Sequence, residues 1–139
     1  MNILFLCKAN MFRSQMAEAW CNLLSKNKVK SAALIAHEGK LSWLVIDSSK
    51  EFGLDLSNHI SKDVTKSMIQ KADLIIIMNK NLREHFEKYK KLLKKNALVE
   101  MWEIQDIVAK DTDNDIYPEF VKTCKIIGEK VKSLVKRYG

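Results

Sequence analysis

A chain of 139 residues, 47% hydrophobic and 29% charged, has room for one domain with a real core and excludes two. Its longest apolar runs, residues 3–7 and 74–78, exclude a membrane-spanning helix, and no signal-peptide pattern opens it, so a cytoplasmic protein is expected. The net charge of +7 fits attraction of anionic substrates; lysines are scattered, acids interleave them and no nucleic-acid-binding motif appears, so neither nucleic acid nor a membrane is the expected partner.

The first element is a buried strand over residues 2–6, ending at Cys7. A helix is expected over residues 13–25, where Met16, Ala17, Trp20, Cys21 and Leu24 recur at core-facing spacing. Residues 29–36 read as a second strand, and residues 43–52 as a helix closed by Gly53. A short helix at residues 65–71 precedes a β-branched buried strand at residues 73–78. Asn81 caps a predicted helix to residue 93, and residues 97–101 form a fourth strand. The last helix begins near Pro118, with the stripe Phe120, Cys124, Ile127, Val131, Leu134 and Val135. Strands alternating with helices predict a single α/β domain over residues 1–139, a four-stranded parallel sheet with helices on both faces. In such sheets ligands bind beyond the carboxyl ends of the strands, where Cys7 stands.

The segment Cys7-Lys8-Ala9-Asn10-Met11-Phe12-Arg13-Ser14 therefore lies between a strand end and a helix start. Loop N–H groups converging beside a helix N-terminus make a cradle for an oxyanion, here a phosphate-binding loop over residues 8–14. The same field favours a thiolate on Cys7, a nucleophile for phosphoryl transfer. Only Arg13, Arg83 and Arg137 are arginine among the 24 basic residues, and Arg13 stands where a planar fork can clamp two oxygens. A leaving oxygen needs a proton donor, and Asp106, just past the fourth strand, is on the expected sheet edge; Asp111, Asp113 and Asp115 are the competing acids.

Cys7-x5-Arg13-Ser14 with Asn10 inside it resembles the low-molecular-weight protein tyrosine phosphatase superfamily, which includes an arsenate-reductase branch. Arg13-Ser-Gln-Met-Ala-Glu18 is similar to the reductase branch, since the phosphatases usually carry proline at the place of Gln15. Gly53 to His59 and Lys71 to Met78 fit both branches, Asn81-Leu82-Arg83-Glu84 is similar to the phosphatases, and Trp102-x-Ile-x-Asp106 resembles the stretch with their acid. The resemblance implies Cys7 as nucleophile, Arg13 as anion clamp, Ser14 as thiolate partner, Asn10 as holder of the loop shape and Asp106 as acid, then base. It implies hydrolysis of phosphomonoesters, protein phosphotyrosine or aryl phosphate, through a cysteinyl-phosphate, with no metal or other cofactor. Phosphate, sulfate and arsenate would all fit the loop.

Three departures matter. The family's usual glycine is Ala9, which must hold a negative φ while Asn10 takes any positive one. Ile107 and Val108 replace the aromatic residues that commonly follow the aspartate, with Trp43 or Tyr117 as substitutes. The two cysteines that resolve the adduct in thioredoxin-coupled reductases are absent from residues 77–81. The alternative function is arsenate reduction at Cys7 with an external thiol of the thioredoxin or glutaredoxin type; a second is a catalytically weak anion-binding module. Cys21 and Cys124 fall on helix stripes and read as buried small hydrophobes, and an odd set of three cysteines without a Cys-x-x-Cys pair forms neither a disulfide framework nor a zinc site. His37, His59 and His85 read as capping or packing residues, with His59 alone matching a family position. Trp20 and Trp102 read as core and Glu18 as a surface or helix-pairing residue.

Overall fold

The computed structural model describes residues 1–37, 41–105, 107 and 116–138. Four strands, β1 (Asn2–Cys7), β2 (Lys28–Ala33), β3 (Leu74–Ile77) and β4 (Leu98–Met101), form one parallel sheet in the order β2-β1-β3-β4. The helices are α1 (Arg13–Leu24), α2 (Trp43–Lys50), α3 (Lys66–Lys71), α4 (Arg83–Phe86) and α5 (Tyr117–Tyr138). The predicted α/β architecture is the one observed.

Period-two alternation within continuous apolar strands explains the two layers of core. Ile3, Phe5 and Cys7 of β1 and Leu74 and Ile76 of β3 join a cluster with Met16, Trp20 and Cys21 of α1, Val45 of α2 and Cys124, Ile127 and Val131 of α5. The alternate residues, Leu4, Leu6, Ile75 and Ile77, pack with Ile69 of α3 and with Leu82 and Phe86. Both faces are covered, and all four carboxyl ends lie along one edge.

Three predicted elements are shorter than expected, each for a local reason. β2 stops at Ala33: Leu34 N–H makes the last rung, to the Cys7 carbonyl at 2.8 Å, and Ile35 and Ala36 N–H then both turn to the Lys8 carbonyl, at 3.1 and 3.3 Å. The chain leaves the ladder there to flank the loop after β1. α2 ends at Lys50, and Gly53 takes φ +80° to turn the chain. The helix expected from residue 81 to 93 is three short pieces: a 3-10 turn at Lys80–Leu82, α4, and a 3-10 segment at Glu87–Leu92. Its cap is Asn79, whose side chain accepts from Asn81 N–H at 2.8 Å. Lys88 with Lys91 and Lys90 with Lys94 would repel at three- and four-residue helical spacing, which disfavours one regular α-helix there.

α1 and α5 meet across Gly128, where an added Cβ would stand 2.6 Å from Trp20 Cε2 and Cζ2. The indole cannot swing away freely, because its Nε1 donates to the Cys124 carbonyl at 3.0 Å. Gly128→Ala is therefore expected to destabilise by about 1–3 kcal/mol from overpacking, even though alanine gains about 1 kcal/mol of helix propensity. Urea unfolding checks this; equal midpoints would mean that Trp20 repacks without cost.

Candidate active site

The loop between β1 and α1 is arranged by where its carbonyls go. The Cys7 carbonyl accepts from Leu34 N–H, and the Lys8 carbonyl accepts from Ile35 and Ala36 N–H at 3.1 and 3.3 Å. The Asn10 carbonyl accepts from Ser61 Oγ at 2.9 Å and from Gln15 Nε2. The Phe12 carbonyl accepts from Met16 N–H at 3.1 Å, inside α1. A trans peptide points its N–H opposite to its C=O. Four outward carbonyls therefore turn the N–H groups of Lys8, Ala9, Met11 and Arg13 the other way, and α1 starts without a side-chain cap. Among the described residues, none accepts a hydrogen bond from the N–H groups of residues 8–12. This is a donor-lined concavity of the kind that holds an oxyanion.

The glycine-free loop closes through Asn10, which takes φ +53°; Ala9 is not among the residues with positive φ. Asparagine tolerates the left-handed region because its side chain can bond locally, and here that side chain is fully buried and saturated. Its Nδ2 donates to Ser14 Oγ at 2.9 Å and Ser31 Oγ at 3.0 Å. Its Oδ1 accepts from Lys62 N–H at 3.1 Å, with His59 Nε2 at 3.4 Å. Ser14 Oγ, which accepts from Asn10, lies 2.8 Å from Cys7 Sγ, and its hydroxyl proton is available to a thiolate there. A chain of hydrogen bonds thus joins Asn10, Ser14 and the sulfur. The far side of His59 faces Glu18, with Nδ1 3.4 Å from Oε2. Glu18 is therefore no plain surface residue: its side chain is only 17% exposed and it backs the loop through His59.

Arg13 opens α1, is 5% exposed, and donates from Nη1 to the Ile104 carbonyl at 2.9 Å. Asn79 Nδ2 donates to the same carbonyl at 3.2 Å. This ties the arginine to the segment after β4, two residues before Asp106. Asp106 itself, Val108 and the competing acids Asp111, Asp113 and Asp115 lie outside the described residues.

Beside the loop, Phe12 meets Phe120 of α5 edge-on, with centroids 4.8 Å apart. One turn earlier in α5, Tyr117 stacks on Trp43 with centroids 6.1 Å apart and planes 14° from parallel. The Tyr117 hydroxyl donates to Glu51, and that bond, with desolvation and the Glu51 and Asp47 charges, pushes its pKa up to about 12. Trp43 is half exposed, whereas Trp20 and Trp102 are buried core residues, as expected. His37 pairs with Asp63 at 2.9 Å on the surface.

Cys21 and Cys124 are free and fully buried, and burial pushes both thiols up. Cys21 lies about 12 Å along α1 from Arg13 at 1.5 Å per residue. The sequence reading missed Ser31, Ser61 and Asn79, and took Gln15 as a family mark alone. Ser31 had a signal: a fully buried strand position that is polar. Ser61 and Asn79 act across 51 and 25 residues of chain, and no local pattern reveals such contacts.

The sheet, the Cys-x5-Arg loop at its carboxyl edge and the buried Cys7–Ser14–Asn10 network define an α/β protein built to hold an oxyanion against a cysteine. Residues 2–138 match the family described as low molecular weight phosphotyrosine protein phosphatase, and the chain belongs to it. It is 30% identical over 132 residues to arsenate reductase 2 of Staphylococcus saprophyticus, covering 94% of this chain and 92% of that protein. It is 34% identical over 94 residues to the low molecular weight protein-tyrosine-phosphatase Ptp of Acinetobacter johnsonii, covering 62% of each. The YwlE arginine phosphatase, from Bacillus subtilis, solved as a cysteine-to-serine mutant with a phosphorylated active-site serine, superposes with a TM-score of 0.84 at 20% identity, covering 99% of this chain and 95% of that one. Among the described residues, no helix is long and apolar enough to cross a membrane.

Proposed function

We propose that this single-domain protein, residues 1–139, is a cysteine-dependent phosphatase that hydrolyses phosphomonoesters, with protein phosphotyrosine or another aryl phosphate as its substrate class. The observation that carries the reading is the outward set of loop carbonyls around Cys7, which turns backbone donors inward as a tetrahedral dianion requires. The stacked Trp43 and Tyr117, one helical turn from the Phe12–Phe120 contact, supply flat apolar surface for an aryl group beside that anion.

The Cys7 thiolate attacks phosphorus, a sulfur–phosphorus bond forms, and the ester oxygen leaves with a proton from Asp106. Loop N–H groups at residues 8–14 and the Arg13 guanidinium hold the charge that develops on the equatorial oxygens. Water then attacks the cysteinyl-phosphate, Asp106 takes a proton from it, and the sulfur–phosphorus bond breaks to give inorganic phosphate and the thiolate. Ser14 donates to the sulfur when it leaves, which eases this second step.

Arsenate reduction is the second reading, favoured by the relative of that name in Staphylococcus saprophyticus and by Gln15. Against it, the two remaining cysteines are buried in helix packing, and an external thiol would have to resolve an adduct on Cys7. The two chemistries are separated by one side-by-side assay: aryl phosphate hydrolysis in the presence of a chelator, and arsenate-dependent NADPH oxidation through thioredoxin or glutaredoxin. The phosphatase reading predicts metal-independent phosphate release, with Asp106→Ala lowering kcat/KM, which reports the first chemical step, by about 10²–10⁴-fold for poor leaving groups and much less for good ones. Arsenate turnover lost in Cys7→Ser, with no phosphate release, would establish the reductase. Tight phosphate binding with neither turnover would establish the binding module.

A further inference from the structure

Three of the four outward carbonyls of the loop are held by backbone N–H groups: Cys7 by Leu34, Lys8 by Ile35 and Ala36, Phe12 by Met16. The Asn10 carbonyl alone is held by side chains, those of Gln15 and Ser61. It belongs to the residue at φ +53°, where the chain reverses without a glycine. Turn conformations that differ by rotation of one central peptide are neighbours in backbone space. If the Asn10–Met11 peptide turned over, its carbonyl oxygen would face the anion and its N–H would face away. One attraction would become a repulsion.

We infer that Gln15 and Ser61 are positioning residues of the oxyanion cradle, latching the Asn10–Met11 peptide so that Met11 N–H faces the bound anion. This rests on the reading that the loop holds an oxyanion. The two side chains form one unit, with Gln15 Nε2 donating to Ser61 Oγ at 3.2 Å as well as to the carbonyl. Ser61 Oγ also lies 3.2 Å from Met11 Sδ, so it contacts both residues joined by that peptide. Gln15 is fully buried and its Oε1 has no partner among the described residues. A buried acceptor left unsatisfied is unfavourable, and the amide offsets that only through what its Nε2 holds. Flipping the amide would set two oxygens, Gln15 Oε1 and Asn10 O, against each other.

The test compares wild type, Ser61→Thr, Ser61→Val and Gln15→Met by calorimetric titration with inorganic phosphate and by thermal melting. Threonine and valine match in shape and differ in the hydroxyl, so steric cost cancels between them. Phosphate affinity is expected to fall about tenfold in Ser61→Val and in Gln15→Met, the loss of one well-placed hydrogen bond each, and to be largely restored in Ser61→Thr. The same ratio should appear in KM for aryl phosphate. If Gln15→Met does not fold, the threonine–valine pair decides alone. Lower melting temperatures with unchanged phosphate affinity would overturn the latch and leave the two residues as packing. Wild-type protein that binds no phosphate would overturn the latch and the oxyanion reading together.

Discussion

Cys7→Ser is expected to lower kcat for an aryl phosphate by at least about 10⁴-fold, while inorganic phosphate binds within a few-fold of wild type. A serine hydroxyl is a far weaker nucleophile than a thiolate unless a base takes its proton. His59 is the family-matched histidine, but its ring nitrogens face Asn10 and Glu18 and not the position of the sulfur. The loop amides owe their direction to carbonyls held by Leu34, Ile35 and Ala36 after β2, by Ser61 and Gln15, and by Met16 N–H, and the Cys7 side chain makes none of these bonds. Binding and chemistry should therefore separate cleanly. Retained kcat would remove Cys7 from the reaction, and lost binding with lost kcat would mean that the thiol shapes the loop.

The second large effect is at Arg13. Arg13→Lys is expected to reduce kcat/KM by about 10²–10³-fold, the scale of removing a preorganised charge-stabilising donor. Lysine keeps the charge and loses the geometry. The guanidinium is fixed in plane by its bond from Nη1 to the Ile104 carbonyl, in an almost fully buried position. One ammonium group cannot hold that carbonyl and fork onto two ligand oxygens. The loss should exceed the loss in phosphate affinity, because the demand for charge stabilisation is greatest in the transition state. Steady-state kinetics beside phosphate titration checks this; wild-type kcat/KM in the Arg13→Lys protein would reduce Arg13 to a counter-charge.

What could be read from the chain follows from which contacts are local. The apolar runs at residues 3–7 and 74–78 set β1 and β3, and the Cys7 loop followed because a strand end and a helix stripe flank it. Asn10 was identified as the residue able to take a positive φ, and it does so at +53°. The helix expected from Asn81 to residue 93 rests on Asn81 as its cap, whereas Asn79 caps two residues earlier and the segment divides into three short pieces, with like-charged lysines at helical spacing disfavouring one regular helix. Glu18 was misjudged because its partner is His59, 41 positions on, and only the folded chain brings them together. The loop supports Ser61 and Asn79 were illegible for the same reason: each bonds across 25 or more residues. Asp106 keeps its role as a proposal drawn from sequence, next to a segment whose Ile104 carbonyl is bound by Arg13.

The central claim is that phosphorus passes through Cys7. The most direct measurement uses Asp106→Ala with an aryl phosphate of good leaving group, where formation of the intermediate stays fast and its hydrolysis is slowed. Samples quenched into alkaline denaturant during turnover are digested and mapped by mass. A phosphoryl group on the Cys7 peptide, absent in Cys7→Ser, is the predicted result; steady hydrolysis with Cys7 unmodified, or with the phosphoryl group on another residue, would contradict the account.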